Sequence, residues 1–273
     1  MSLQAAPFGT GLFGRTLAAI GGRTLRWLDA TLAFTAFCAT AFATALRRRS
    51  WRRPMRATFY ASLHRVTVQS IPTVIVTGVL LGFALVTQVV YWLQTAGQTQ
   101  LVGVIVERLL VREIAPVVTG LIIFGRVGTR ILIDLGDARS RGWLRQLELQ
   151  GIDPMALIVT PRLMAFGIGA FCLGTMLMLS TLLSGYIVAS MLGLVSFPIW
   201  TFMENLLRAM DGSDFIIQPL KCITMGMAVA LVCCATALGR ADESYELQRL
   251  VQRGFVRATL AVLLINGVFD LAG

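Results

Sequence analysis

Arg126, Arg130 and Asp134 recur every four residues in apolar sequence, so a helix places all three on one face with Asp137 near it. Upstream, Arg112 and Glu113 stand directly before the apolar run that opens at Ile114. A charged side chain at bilayer depth is costly unless it faces a bundle interior or a wet cavity, which makes each of these groups a functional hypothesis. Asp134 with Glu113 is a pair suited to acid–base chemistry inside a membrane, whereas ion pairs that hold helices together are the commoner use of such groups. A third reading puts Arg126 close to a helix end, where it reaches the interface on its own stem beside Arg139 and Arg141.

Other chemistries find no residues to carry them. There is no GxxxxGK[ST] and Lys221 is the only lysine, so this chain has no P-loop to cradle a nucleotide. GxSxG and HExxH are missing too, and His64 is the one histidine. The five cysteines (Cys38, Cys172, Cys222, Cys233, Cys234) form no CxxC pair and sit in or beside apolar runs, so buried inert thiols are expected and no metal site. Energy or catalysis is expected to come from elsewhere.

The elements that hold these residues are membrane-spanning helices. Of 273 residues, 56% are hydrophobic and only 14% charged, and several runs without charge exceed the ~20 residues that cross a bilayer. The runs are continuous and not alternating, which predicts an all-α integral membrane protein and no barrel. The net charge of +10 lies between the runs, where it fixes topology; it does not indicate nucleic acid.

Two segments are expected, an N-terminal interfacial or re-entrant part over 1–60 and a five-span domain over 61–273. Arg15, Arg23 and Arg26 make the start a basic amphipathic helix suited to a membrane surface, with no cleavable signal. Residues 27–46 are long enough to span, but the arginines on both sides favour an interfacial lie. The basic block Arg47–Arg56 belongs in the cytoplasm. Residues 66–106 carry no charge; as one helix they would extend roughly 60 Å, about twice the hydrocarbon thickness. The polar patch 95–100 breaks them, giving spans near 66–93 and 103–135. Gly78 and Gly82 in the first allow close approach of a neighbour, as do Ser180 and Ser184 in a third span near 155–190. Spans near 217–239 and 251–272 follow, with an outer loop holding Glu204, Arg208, Asp211 and Asp214. The N-terminus is then inside and the C-terminus outside.

Between the second and third spans, Leu144, Leu147 and Leu149 alternate with Arg145, Gln146 and Glu148, a short amphipathic helix on the cytoplasmic side, limited by Pro154. No fixed-period repeat appears, and five spans without related halves argue against a secondary transporter, the main competitor. A plain membrane anchor for an envelope complex is a third reading; it leaves the stripe from Arg126 to Asp134 unexplained.

The same stretch resembles the signature region of the MlaE-type permeases, the membrane subunits of ABC transporters that move phospholipid in the Gram-negative envelope. The resemblance rests on Arg112-Glu113-Ile114-Ala115-Pro116-Val117, Gly125-Arg126-Val127-Gly128, Asp134-Leu135-Gly136, Glu148, Gly151-Ile152-Asp153-Pro154 and Pro161-Arg162. Weaker similarity covers Gly78, Gly82, Gln88 and the segment 214–222. It implies a multi-pass permease of the bacterial inner membrane, not itself an enzyme, paired with a second permease chain of the same or unlike kind. Cytoplasmic ATPase subunits would bind the ATP and dock on the 140–150 helix through Leu144, Leu147, Glu148, Asp153 and Pro154. An MCE-domain lipid-binding protein would sit outside. Leu85, Gln88, Val89, Trp92 and Leu101 would line a cavity for phospholipid between protomers. The chain departs from the family at Arg141-Gly142-Trp143, at residues 245–251, and at Asn266, where the family carries an acid.

Overall fold

The protein is described from a computed structural model, which covers residues 39–40, 53–95, 97, 105–151, 155–193, 198–209, 212, 214–239 and 247–272. No strand occurs among these residues. Among the described residues, five helices are long and apolar enough to cross a membrane: Met55–Leu93, Arg108–Ser140, Leu157–Met191, Phe215–Leu238 and Gln248–Leu271, here spans one to five. Apart from residues 39–40, the expected interfacial helix upstream of Arg53 lies outside the described residues. The division drawn at residue 60 falls within the helix Arg53–Thr67.

The first span is too long to cross a bilayer as one straight rod, and it is not straight. Helix Arg53–Thr67 ends in a turn at Val68–Ser70, and Ile71–Leu81 restarts with Pro72 in its first turn. Proline has no N–H to give to the preceding turn and restricts its predecessor, so it breaks the first helix yet opens the second without loss. The result is an elbow at residues 68–70.

The third span is the central post, packed against the first on one side and the fourth on the other. Small residues decide those distances. Gly78 lies against Ser180 and Gly82 against Ser184 and the Thr181 carbonyl, so the two small-residue pairs read in separate spans face each other. Across the other contact, Gly226 lies on the Phe166 backbone and Ala170. The fourth span in turn packs on the second and fifth. The main core joins Phe124, Leu132, Leu163, Phe166, Leu173 and Met225, and a smaller one holds Val86, Val90, Leu110, Leu182 and Phe202.

Two connections differ from expectation. Glu204 and Arg208, expected in an outer loop, belong to a helix, Ile199–Ala209, which stacks Phe202 on Tyr186 (centroids 5.6 Å apart) and pairs Arg208 with Glu204 at 2.7 Å. Its one apolar stripe was hidden by reading the charges alone. The second span also runs on as helix to Ser140, beyond the expected end at 135. There Gly142, at φ 71°, turns the chain into the short helix Trp143–Leu149. Only glycine takes that backbone without strain.

Candidate functional site

Polar side chains gather at the two ends of the bundle. The first group lies toward the end that carries the 143–149 helix. Arg126 belongs to a π-helical turn, Phe124–Gly128, and Arg130 and Asp134 follow on the helix Thr129–Ser140. The wider turn re-aims the side chains beyond it, and such turns recur at functional sites. All three point at the elbow of the first span. Arg126 Nη2 donates to the Gln69 carbonyl at 2.8 Å and Arg130 Nη1 to Gln69 Oε1 at 2.9 Å. Arg65 approaches Asp134 at 4.0 Å. Asp137 turns aside to pair with Arg141 at 2.8 Å. A cavity of about 580 Å³ opens between the first, second and third spans, with Arg65, Arg130, Asp134 and Arg162 in its wall.

The second group sits at the far end. Another π-helical segment, Glu107–Ile114, presents Arg112 and Glu113 to the fourth and fifth spans. Lys221, with only 3% of its side chain exposed, meets Asp270 at 2.6 Å and donates to the Arg112 carbonyl at 2.8 Å. Asn266 Nδ2 donates to both Glu113 Oε2 and Asp270 Oδ2, each at 2.8 Å. Gln218 Nε2 donates to the Val111 carbonyl at 2.6 Å. Three spans are thus joined through one ammonium, two carboxylates and two amides. A smaller cavity of about 210 Å³ borders this network, with Arg108 and Arg112 on its rim. Asn266, a neutral amide between two carboxylates, lets Glu113 and Asp270 approach without adding a third negative charge.

Glu113 and Asp134, possible partners in acid–base work, fall in opposite groups, so no shared site exists between them. Pro116 is buried in the first turn of Ala115–Ile123. Gly128 faces Cys233, where an added Cβ would meet Sγ at 3.0 Å, while Gly125 has open space and Gly136 is buried. In the short helix, Leu147 is only 8% exposed and Leu144 packs on the same core, whereas Leu149 is 81% and Trp143 45% exposed. The outward face therefore consists of Trp143, Arg145, Gln146 and Leu149, with Leu144 and Leu147 turned into the bundle. Glu148 lies on the helix, and Asp153 and Pro154 fall outside the described residues. On the first span, Leu85 and Val89 lean on the smaller core, Gln88 and Trp92 face outward, and Leu101 is outside the described residues.

Sequence reading missed Gln69, Lys221, Gln218 and Asp270. The signal for Lys221 was present: a sole lysine in a segment otherwise without charge from 215 to 238 demands an acid at the same depth.

Residues 59–272 match the family described as Permease MlaE. The intermembrane phospholipid transport system permease protein MlaE of Haemophilus influenzae is 26% identical, over 74% of this chain and 77% of its own length. A probable ABC transporter permease protein of Synechocystis is 24% identical, over 75% and 77%. Protein TRIGALACTOSYLDIACYLGLYCEROL 1 of Arabidopsis thaliana is 23% identical, over 68% and 51%. The matched stretch runs from the first described span to the last, and the chain belongs to the MlaE permease family.

Proposed function

We propose that the chain is the membrane subunit of an ABC transporter that moves phospholipid, or a lipid like it, across or out of the bacterial inner membrane. The observation that carries this reading is the family match across all five spans. The positive-inside pattern puts the 143–149 helix in the cytoplasm, where separate ATPase subunits bind the ATP and press on Trp143 and Leu149. Pairing with a second permease chain covers the first span, whose Val76, Leu80, Phe83 and Trp92 are each more than half exposed. A two-chain amphiphile needs such an apolar wall with polar groups at its mouth, here Gln88 and the network around Lys221. An MCE-domain lipid-binding protein receives or supplies lipid at that outer end.

The test is purification in mild detergent followed by reconstitution into vesicles. Co-purification with an ATPase and ATP-dependent movement of labelled phospholipid are expected. A lone chain coupling solute flux to a proton gradient overturns the reading in favour of a secondary transporter, and a complex that moves nothing points to an anchor.

A further inference from the structure

The elbow cavity holds more positive charge than the fold uses. Among the described residues, Arg65, Arg130 and Arg162 line it and Asp134 is the one carboxylate, so the described wall carries a net charge of +2. Arg126 and Arg130 tie the elbow through Gln69, which accounts for them structurally. The remaining two guanidiniums share the single Asp134 carboxylate between them. The pair of Arg65 with Asp134 is 4.0 Å long with both side chains more than half exposed, a geometry worth little. Arg162 is mostly buried, and its Nη1 is shielded from solvent with no hydrogen-bond partner among the described residues. A buried cationic donor left unsatisfied is costly and calls for an acceptor. Room for one exists, because Ala57, Ala61 and Ser62 are the side chains that the helix Arg53–Thr67 turns to the cavity beside Thr58 and Arg65. At about 580 Å³ the space lies within the ~300–1,000 Å³ of ordinary ligand clefts.

We propose that this cavity is a binding site for a phosphate group. A guanidinium offers a planar fork that matches phosphate with two parallel bonds, and Arg65 and Arg162 face the cavity from two different spans. The site is distinct from the wall assigned above to the transported chain, since it lies at the opposite end of the bundle from the Lys221 network. It rests on the proposed function for one point only, that this end meets the cytoplasm. Two sources offer the same chemistry there: the headgroup of an anionic phospholipid in the inner leaflet, and a free phosphate.

The full-length protein in detergent is titrated with phosphatidylglycerol, with phosphatidylcholine and with inorganic phosphate, and retention is read by native mass spectrometry and calorimetry. Phosphatidylglycerol retained in preference to phosphatidylcholine supports a headgroup site; inorganic phosphate bound alone supports the free anion. In either case Arg162→Gln lowers affinity about tenfold or more, as the loss of a charged hydrogen bond does. Arg65→Gln, a change at an exposed side chain that spares the fold, lowers it severalfold. Arg108→Gln at the far end leaves it unchanged. Affinity that both cavity variants keep, or that neither phosphate source shows, overturns the site. Lipid movement is measured separately: transport that persists in both variants with binding intact removes the site and leaves the transporter reading standing, whereas phosphate binding without ATP-driven movement does the reverse.

Discussion

Lys221 and Asp270, on the fourth and fifth spans, meet at 2.6 Å, with the lysine almost wholly buried and the aspartate one-third exposed. Burying an ammonium is tolerable only because the carboxylate and the Arg112 carbonyl replace its water. Removing one partner is therefore worse than removing both. Asp270→Leu is expected to destabilise by about 3–5 kcal/mol, the cost of a stranded buried charge. The double variant Lys221→Met with Asp270→Leu recovers most of that loss. Thermal unfolding of the detergent-solubilised chain reads both; a double variant no more stable than Asp270→Leu shows that the pair is not what holds these two spans.

The contact of the first and third spans predicts an asymmetry between two neighbouring glycines. A Cβ at Gly78 runs first into the Ser180 hydroxyl, a side chain that can be cut away, leaving the Leu177 carbonyl at 3.1 Å. A Cβ at Gly82 runs into both the Ser184 hydroxyl and the Thr181 carbonyl, and backbone cannot be trimmed. Each Gly→Ala change costs about 1–3 kcal/mol through overpacking. Ser180→Gly is expected to restore at least half of the loss in Gly78→Ala, while Ser184→Gly does little for Gly82→Ala. Equal rescue at both positions in thermal unfolding refutes this account of the contact.

The elbow offers a third measurement. Gln69 receives Arg126 on its backbone and Arg130 on its side chain, so Gln69→Ala removes one bond and spares the other. The expected cost is small, about 0.5–1.5 kcal/mol. Arg126→Leu instead frees the carbonyl, and hydrogen exchange at residues 64–74 is expected to rise more than in Gln69→Ala. The opposite order shows that the side-chain bond, not the backbone bond, fixes the bend.

The five spans were legible because long apolar runs and a polar break set them, some of the runs with charges inside, and the small-residue pairs in spans one and three were visible as motifs. What pairs with what was not. Gly78 facing Ser180 requires two spans to be placed side by side, and a single sequence gives each motif without its partner. The π-helical turns at 107–114 and 124–128 shift the facing of every later residue. A regular helical wheel from Arg112 to Asp134 therefore cannot say that Glu113 meets the fifth span while Arg126 meets the first. The facing of the 143–149 helix was not legible for a simpler reason: a seven-residue helix capping a bundle also has an inner side to fill, and Leu144 and Leu147 fill it.

That inner side makes the last prediction a separation of effects. Leu147→Asp places a carboxylate in the permease's own core, where the side chain is 8% exposed, and is expected to lower stability by about 2–4 kcal/mol. Leu149→Asp and Trp143→Asp change exposed side chains and are expected to leave unfolding within about 0.5 kcal/mol of the parent. If the ATPase docks on this helix, the exposed pair carries the contact, because a few large apolar side chains supply most of an interface's energy. ATPase recovery on the immobilised permease should then fall sharply for Leu149→Asp and Trp143→Asp at unchanged stability. Recovery that falls only with Leu147→Asp, in step with its loss of stability, places the motor's contact elsewhere on the permease.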